Sequence, residues 1–236
     1  RLTMARTILD SIKEGAPVIG IDVPTVVMTG VEREQVELKA LANEMASRIA
    51  KAYDWQSLAV VATYPGDGVT EAFDLPADYD RMPVKAKVWS TSINRPLTPI
   101  TDRDQWLGME VQAFDMLFGA WIIYGDQIHI KTAVPSGVSA KHWYQSRLIV
   151  KPQTGDNKEA FDADSDTFRL NAQLLKLGMI WQWKANKGLA YGEDMASYED
   201  LKDKLISGDK GSRILTIGRQ RVPYDVDIAY PVSVVP

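Results

Sequence analysis

Three aspartates at alternate positions, Asp162, Asp164 and Asp166, form the arrangement in this chain that most resembles a metal site. Carboxylates with this spacing begin an EF-hand calcium loop, which also requires glycine at its sixth position and glutamate at its twelfth. This sequence has Thr167 and Gln173 at those two positions. We therefore predict that no metal binds here, and we interpret the segment as a solvated turn that precedes a helix.

The other titratable residues do not form a catalytic pattern either. His129 and His142 lie in segments that favour β-strands, and the chain has no cysteine that could join them in a zinc site. Glu193 and Asp194 could serve as the carboxylates of a glycosidase, but acidic neighbours at a helix start ordinarily stabilise the helix dipole. The sequence contains no nucleophile motif, phosphate-binding loop or dinucleotide fingerprint. We expect neither enzymatic activity nor a cofactor.

Tryptophan is abundant, with seven residues, and this abundance leaves carbohydrate binding open as an alternative. Trp181 and Trp183 lie in an apolar helical segment, where packing in a core or an interface is the expected role. They point about 200° apart on a helix, so we predict that one lies in the core and the other near a subunit contact. The candidates for a carbohydrate face are the tryptophans of the β-rich middle of the chain: Trp89, Trp106, Trp121 and Trp143.

The elements that position these residues include a helical hairpin over 171–207. Asn171 is a suitable N-cap, and the helix after it is apolar on every side, which indicates burial in a core or an assembly. Gly178 costs this helix about 1 kcal/mol relative to alanine, so we predict close approach by a neighbouring element there. Gly188 fits a left-handed C′ position that ends the helix. The second helix repeats apolar residues at spacings of three and four on one face: Met195, Tyr198, Leu201 and Leu205.

Four further segments precede or follow the β-rich region. Residues 3–13 and 31–54 favour helices, whereas 15–29 are apolar but interrupted by prolines, which favours a packed loop. Residues 212–236 alternate valine and isoleucine with prolines, which predicts an extended arm. Such an arm is expected to dock as an added strand on a partner, and the alternative is that it folds back onto its own β-rich lobe.

The middle of the chain favours strands, with one short helix predicted at 101–114 and a hairpin turn at Gly125-Asp126. The predicted strand segments are 57–64, 69–76, 84–92, 116–125, 126–131 and 142–151. The fold class is therefore α+β.

We predict three parts in this chain. Residues 1–55 and 152–211 would form a helical core, 56–151 a β-rich lobe inserted into it, and 212–236 the C-terminal arm. The expected arrangement is a bundle in which the long helix packs on the helical hairpin.

The charge balance limits the partners. The net charge is −4, from 27 basic and 31 acidic residues, whereas proteins that grip DNA carry a basic stripe. No apolar run approaches the roughly 20 residues of a membrane-spanning helix, so we predict no membrane span.

The hairpin also carries a family resemblance. The run LLKLGMIWQWKANKGLAYGEDMASYEDLKDKL, at 174–205, resembles the C-terminal helical hairpin of bacteriophage head-to-tail adaptor proteins of the tail tubular protein A kind. Two N-terminal motifs are similar to that family as well: AKAYDWQSL at 50–58 and DLPADYDRM at 74–82. Gln182 departs from the pattern, because arginine is commoner there. The matching hairpin residues are Gly178, Trp181, Trp183, Lys184, Lys187, Gly188, Leu189, Tyr191, Glu193, Asp194 and Tyr198.

The resemblance implies a structural virion protein of the phage neck. Such a connector is assembled in the host cytoplasm and forms a ring, twelvefold by resemblance, between the portal protein and the tail or nozzle proteins. Its channel lets DNA pass without binding tightly, which agrees with the acidic net charge. The alternative function is a β-rich viral tail component that binds a receptor or carbohydrate. The residues expected to serve assembly or packing are Gly178, Trp181, Trp183, Lys184, Tyr191, Arg213, Arg219 and Arg221.

Overall fold

The computed structural model describes residues 6–92, 95–112 and 119–209. The predicted arm at 212–236, with Arg213, Arg219 and Arg221, lies outside the described residues. The described chain combines helices with several small sheets, so the predicted α+β class is confirmed.

The helices and strands alternate irregularly along the described chain. Its helices are α1 (Ile8–Ile19), α2 (Arg33–Ala52), α3 (Arg103–Val111), α4 (Ala172–Asn186) and α5 (Gly192–Asp209). The first five strands are β1 (Ala59–Pro65), β2 (Ala72–Asp74), β3 (Tyr79–Arg81), β4 (Trp89–Ser90) and β5 (Thr98–Pro99). The other strands are β6 (Ala120–Tyr124), β7 (Gln127–Lys131), β8 (Ser139–Ser146), β9 (Val150–Lys151) and β10 (Thr167–Phe168).

The described residues fall into two compact units. Unit 1 holds 6–59 and 145–209, and unit 2 holds the described part of 60–144. Strand β9 belongs to the segment predicted for the inserted lobe, yet it lies in unit 1, where it pairs antiparallel with β10. Ile149 and Val150 are buried in the core of the helices, and this burial explains why the strand joins them.

Unit 1 is organised around α4, which contacts α1, α2 and α5. Asn171 caps α4 as predicted, because its side-chain oxygen accepts the Leu174 N–H at 2.9 Å. The buried side chains of α4 lie on several sides of the helix: Leu174, Leu175, Met179, Ile180 and Trp183. Apolar residues all around this helix are thus accommodated by helices on more than one side.

Both glycine predictions for the hairpin are confirmed. A Cβ atom at Gly178 would lie 2.8 Å from Cε of Met45 on α2 and 3.3 Å from Cε2 of Tyr198 on α5. Gly188 has a φ of 70°, the left-handed conformation that ends many helices at C′.

The first helix is shifted from the predicted range 3–13: it spans Ile8–Ile19, and residues 6 and 7 are not helical. A capping box joins Thr7 and Asp10 at its start, and the helix continues to Ile19, so a loop beginning at residue 15 is wrong. Pro17 has no N–H to donate to the backbone oxygen of Lys13, which weakens the last turn, and the helix ends at Gly20, which has a φ of 76°. The helix keeps an apolar stripe that is buried in the core of unit 1.

Unit 2 contains two sheets that share a core. In one sheet β8 lies between β1 and β3 and also pairs with β4, and the other has the order β2-β7-β6-β5. Their shared core includes Tyr64, Ile128, Ile130 and Tyr144. Helix α3 packs against Ala120 and Ile122 of the second sheet through Trp106 and Met109.

Two predictions in unit 2 have different outcomes. The predicted hairpin turn is confirmed, because Gly125 and Asp126 have φ angles of 60° and 61° and connect β6 to β7. The predicted strand at 84–92 is wrong except at Trp89–Ser90. Val84 is 96% exposed and lies in a turn, so it has neither a core nor a strand to pack against.

The close approach at Gly178 gives a testable prediction. We expect Gly178→Leu to lower the free energy of unfolding by about 1–3 kcal/mol, because the new side chain must displace Met45 and Tyr198. The measurement is urea denaturation followed by tryptophan fluorescence. Gly208→Leu in α5 is the control, since a Cβ atom there meets nothing within 4 Å. Equal stability of the two variants would contradict the packing role of Gly178.

Candidate functional site

The aspartate segment serves as a structural junction within unit 1. Oδ1 of Asp164 accepts the N–H groups of Val27 at 3.0 Å and Met28 at 2.9 Å. Its backbone oxygen accepts the Leu9 N–H at 3.4 Å. Asp164 therefore ties two N-terminal segments to the chain before α4.

Asp166 completes this junction from a buried position. Its side chain is 1% exposed, and Oδ2 accepts the N–H groups of Asp162 and Ala163, both at 3.1 Å. The Lys158 ammonium lies 3.5 Å from Oδ1 of Asp166. Lys158 also donates a hydrogen bond to Asp162, and this bond lowers the pKa of the Asp162 carboxyl. The interpretation as a solvated turn is wrong for Asp164 and Asp166, because their oxygens satisfy backbone amides.

The histidines lie in different sheets of unit 2. His129 is half-buried and stacks on Tyr124, with ring centroids 3.9 Å apart. His142 is 2% exposed and stacks on Tyr64 at 5.6 Å. Its two ring nitrogens have no hydrogen-bond partner among the described residues, and burial lowers its pKa to about 4. His142 is therefore a neutral core residue at neutral pH.

Titratable groups of the described chain do not assemble into a metal site. Within residues 6–92, 95–112 and 119–209, no three histidine, aspartate or glutamate side chains are grouped so as to hold an ion. Glu193 and Asp194 lie in the first turn of α5, as expected for residues that stabilise a helix start. Asp194 also forms an ion pair of 2.6 Å with Lys184 on α4.

The two tryptophans of α4 differ in their surroundings. Trp183 is 5% exposed in the core of unit 1, and the Lys187 ammonium lies 4.7 Å from its ring centroid. Trp181 is only partly buried, and its ring packs against Tyr191 at 6.4 Å and Tyr198 at 6.1 Å. One indole thus belongs to the core and the other reaches the surface of the hairpin.

An open groove lies beside Trp183, between α2 and α4. Its volume is about 410 Å³, and charged side chains form much of its wall. Glu37 accepts Nε of Arg33 at 2.9 Å and Nζ of Lys187 at 2.5 Å. These charged side chains are already paired with one another, so the groove offers few unpaired hydrogen-bonding groups to a small molecule.

A set of exposed apolar side chains lies where α4 turns into α5. Leu189, Tyr191 and Met195 are 51%, 41% and 40% exposed, and the partly buried Trp181 packs on Tyr191. We call these four residues the hairpin surface. The prediction that Met195 shares the buried face of α5 is wrong. The nearby part of α4 presents Lys184, which is ion-paired to Asp194, instead of an apolar partner.

The backbone around the hairpin surface is well fixed. The Leu189 N–H donates to the Lys184 oxygen at 2.9 Å, and the Met195 N–H donates to the Tyr191 oxygen at 2.9 Å. The role of Leu189 and Met195 in this surface was missed from the sequence. One signal was present, because the apolar run Leu189-Ala190-Tyr191 is bounded by glycines at 188 and 192, where a turn exposes it.

A scan against protein-family models and a search of curated proteins both returned no match to this chain. The adaptor assignment therefore rests on the sequence motifs and is a proposal below. In the part of the chain that the structure describes, none of the helices has the length and apolar character needed to cross a bilayer.

The buried histidine gives a prediction about pH. The pKa of His142 is about 4 in the folded state, below its ordinary value of 6.5, so the unfolded chain takes up a proton first as the pH falls. The stabilisation is complete above pH 6.5 and is lost as the pH falls toward 4. Since one pKa unit corresponds to about 1.4 kcal/mol, we expect the free energy of unfolding to fall by about 2 kcal/mol between pH 7 and pH 5 and by about 3 kcal/mol by pH 4.

The measurement is urea denaturation at pH 7 and at pH 5. His142→Phe keeps an aromatic ring beside Tyr64 and should flatten the dependence of stability on pH. Tyr64→Phe is the control; it removes a buried hydroxyl that has no hydrogen-bond partner among the described residues and should keep the wild-type profile. An unchanged profile in His142→Phe would show that another group is responsible.

Proposed function

We propose that this protein is a bacteriophage head-to-tail adaptor, a structural component of the virion neck with no enzymatic role. It forms an oligomeric ring between the portal and the tail and lines the channel through which DNA leaves the head. The observation that carries the proposal is the hairpin surface, which lies in the segment that resembles the adaptor family.

The physical argument begins with exposed apolar area. Leu189, Tyr191 and Met195 are close in sequence and 40% or more exposed, and charged residues such as Lys184 and Glu193 lie around them. An apolar patch with a polar rim is typical of a protein interface. Tyrosine, tryptophan and methionine are also enriched in interface cores. The hairpin surface therefore suits a contact with another subunit.

A ring requires the hairpin surface to meet a different surface of the next copy. Such heterologous contacts close into a ring when the rotation between subunits is fixed, and a fixed hairpin supports a fixed rotation. We propose a twelvefold ring that matches the portal. The hydrogen bonds of Leu189 and Met195 to the Lys184 and Tyr191 carbonyls support this rigidity.

The departure from the family pattern at Gln182 has a local explanation. Its side-chain oxygen accepts a hydrogen bond of 3.1 Å from Arg48 on α2, and Arg48 is also paired with Glu44. An arginine at this position would bring two positive groups together. Glutamine is therefore compatible with the same helix pair.

The parts of the chain receive separate roles in this proposal. Unit 1, as a helical bundle, is the adaptor core, and unit 2 is the inserted β-rich lobe, which faces tail or nozzle proteins. The segment 212–236 docks on the portal or on a neighbouring subunit as an extended arm. The net charge of −4 suits a channel through which DNA passes transiently and without specific binding. The protein would be assembled in the host cytoplasm and retained in the neck.

The assembly contact is tested with the double variant Leu189→Ser/Tyr191→Ser. We expect its affinity for ring assembly to fall by about 100-fold, because buried tyrosine and leucine anchors each contribute about 1–2 kcal/mol to such contacts. The measurement is sedimentation velocity over a concentration series, with and without the portal protein. An unchanged circular dichroism spectrum would show that the variant is folded.

The control is Val31→Ser/Val69→Ser, which removes apolar side chains that are 90% and 81% exposed elsewhere. This control should assemble like the wild-type protein. Equal assembly of both double variants would exclude the hairpin surface as the contact.

The location in the virion is tested by imaging particles labelled with an antibody against this chain. We expect the label at the neck, between head and tail. Label confined to the tail tip would instead support the alternative, a β-rich receptor-binding or carbohydrate-binding tail component.

A further inference from the structure

Unit 2 exposes two large aromatic side chains on one face of a sheet. Trp89 on β4 is 38% exposed, and Trp143 on β8 is 53% exposed. Lys141 is the Cα partner of Trp89 in the antiparallel pair, so these two residues share a face. Trp143 lies two residues beyond Lys141 on the same strand and therefore points to that face as well. Side chains in this diagonal relation are about 7–8 Å apart. We call Trp89, Lys141 and Trp143 the tryptophan face.

The indoles of this face are not needed by the core beneath them. Val88, Ala140 and Tyr144, the chain neighbours of these residues, are buried and already fill the opposite side of the strands. Trp106, by contrast, is 4% exposed against the second sheet. A tryptophan left on a sheet surface forgoes a large apolar burial, so its exposure points to an external ligand.

Positive charge accompanies the aromatic rings. Lys141 is adjacent to both rings in register, since it is paired with Trp89 and lies two residues before Trp143 on the same strand. An ammonium group offers only hydrogen-bond donors, so the ligand must present acceptor oxygens. The indole faces require a ligand with flat apolar surfaces beside those oxygens.

We propose that the tryptophan face binds an acidic polysaccharide, a chain of sugar rings that carries spaced carboxylates. The C–H faces of the sugars pack on the indoles, and the carboxylate and hydroxyl oxygens accept hydrogen bonds from Lys141. The site lies wholly in unit 2 and does not depend on the hairpin surface or on ring assembly.

A nucleic acid fits this face less well. Bases also stack on tryptophan, but each nucleotide brings a phosphate charge, and affinity then depends on several neutralising cations. The tryptophan face provides one cation, Lys141, within a chain whose net charge is −4. An acidic sugar also offers hydroxyl acceptors to Lys141 and C–H faces to the indoles, so much of its affinity does not require that every charge be neutralised.

The test measures binding of the full-length protein to a fixed panel of probes. The acidic probes are alginate, hyaluronan and polygalacturonate oligosaccharides, the neutral probes are dextran and cellohexaose, and the nucleic-acid probe is an oligothymidylate of about 20 nucleotides, a length of about one to five site sizes. Isothermal titration calorimetry and quenching of tryptophan fluorescence report the affinity. We expect at least one acidic oligosaccharide to bind more tightly than every other probe.

The variants identify the face. Trp89→Ala and Trp143→Ala should each weaken binding of that oligosaccharide by about tenfold, and Lys141→Gln should weaken it and reduce its dependence on salt. Leu107→Ala is the matched control, because it removes an apolar side chain of unit 2 that is 55% exposed on α3. Circular dichroism should show that all four variants remain folded, and Trp89→Ala should lower the unfolding temperature most, because Trp89 is only 38% exposed.

Three results would overturn the proposal. The first is no binding of any acidic oligosaccharide. The second is tighter binding of a neutral probe or of oligothymidylate. The third is binding that the tryptophan variants leave unchanged while they remain folded, which would place the site elsewhere.

Discussion

Helix α4 is apolar on almost every side, and it can be buried only if other helices surround it. The contacts with α1, α2 and α5 meet this requirement, and they fix where the hairpin can lie in unit 1. The absence of a side chain at Gly178 leaves room for Met45 of α2 and Tyr198 of α5. This arrangement also determines how deeply each of the two indoles of α4 is buried. Trp183 faces the core, and Trp181 is partly buried against Tyr191 and Tyr198.

Aspartate side chains fix the non-helical segments of unit 1 through hydrogen bonds to backbone amides. The chain before α4 passes close to the N-terminal segments, and backbone amides of both need acceptors there. Asp164 and Asp166 provide them from one short stretch, so a sequence that resembles half of a calcium loop stabilises a junction. The buried carboxylate of Asp166 is tolerated because two amides and the nearby Lys158 compensate its desolvation.

In unit 2 the surface chemistry depends on strand register. The alternation along β8 places Ala140, His142 and Tyr144 inside and Lys141 and Trp143 outside. A shift of one residue would expose His142 and bury the lysine, so the same core that keeps His142 neutral also presents the tryptophan face. The same strand register therefore determines both the buried core of the sheet and the residues that it presents to the proposed ligand. The hairpin surface of unit 1 has no such link, since it arises where a helix pair ends.

The sequence by itself determined the local features of this protein: the Asn171 cap, the Gly188 terminus, the Gly125-Asp126 turn and the α+β class all depend on residues within a few positions of one another. The tertiary structure decided what depends on distant partners. Asp164 meets Met28 across 136 positions, and β9 joins unit 1 because β10 and a helical core receive it. Which tryptophans remain exposed was also undetermined, because Trp89 and Trp143 share a face only through the pairing of β4 with β8. Local conformational preferences extend over a few residues, whereas burial is a property of the packed chain, and for this reason the sequence predicted the elements better than the surfaces that they form.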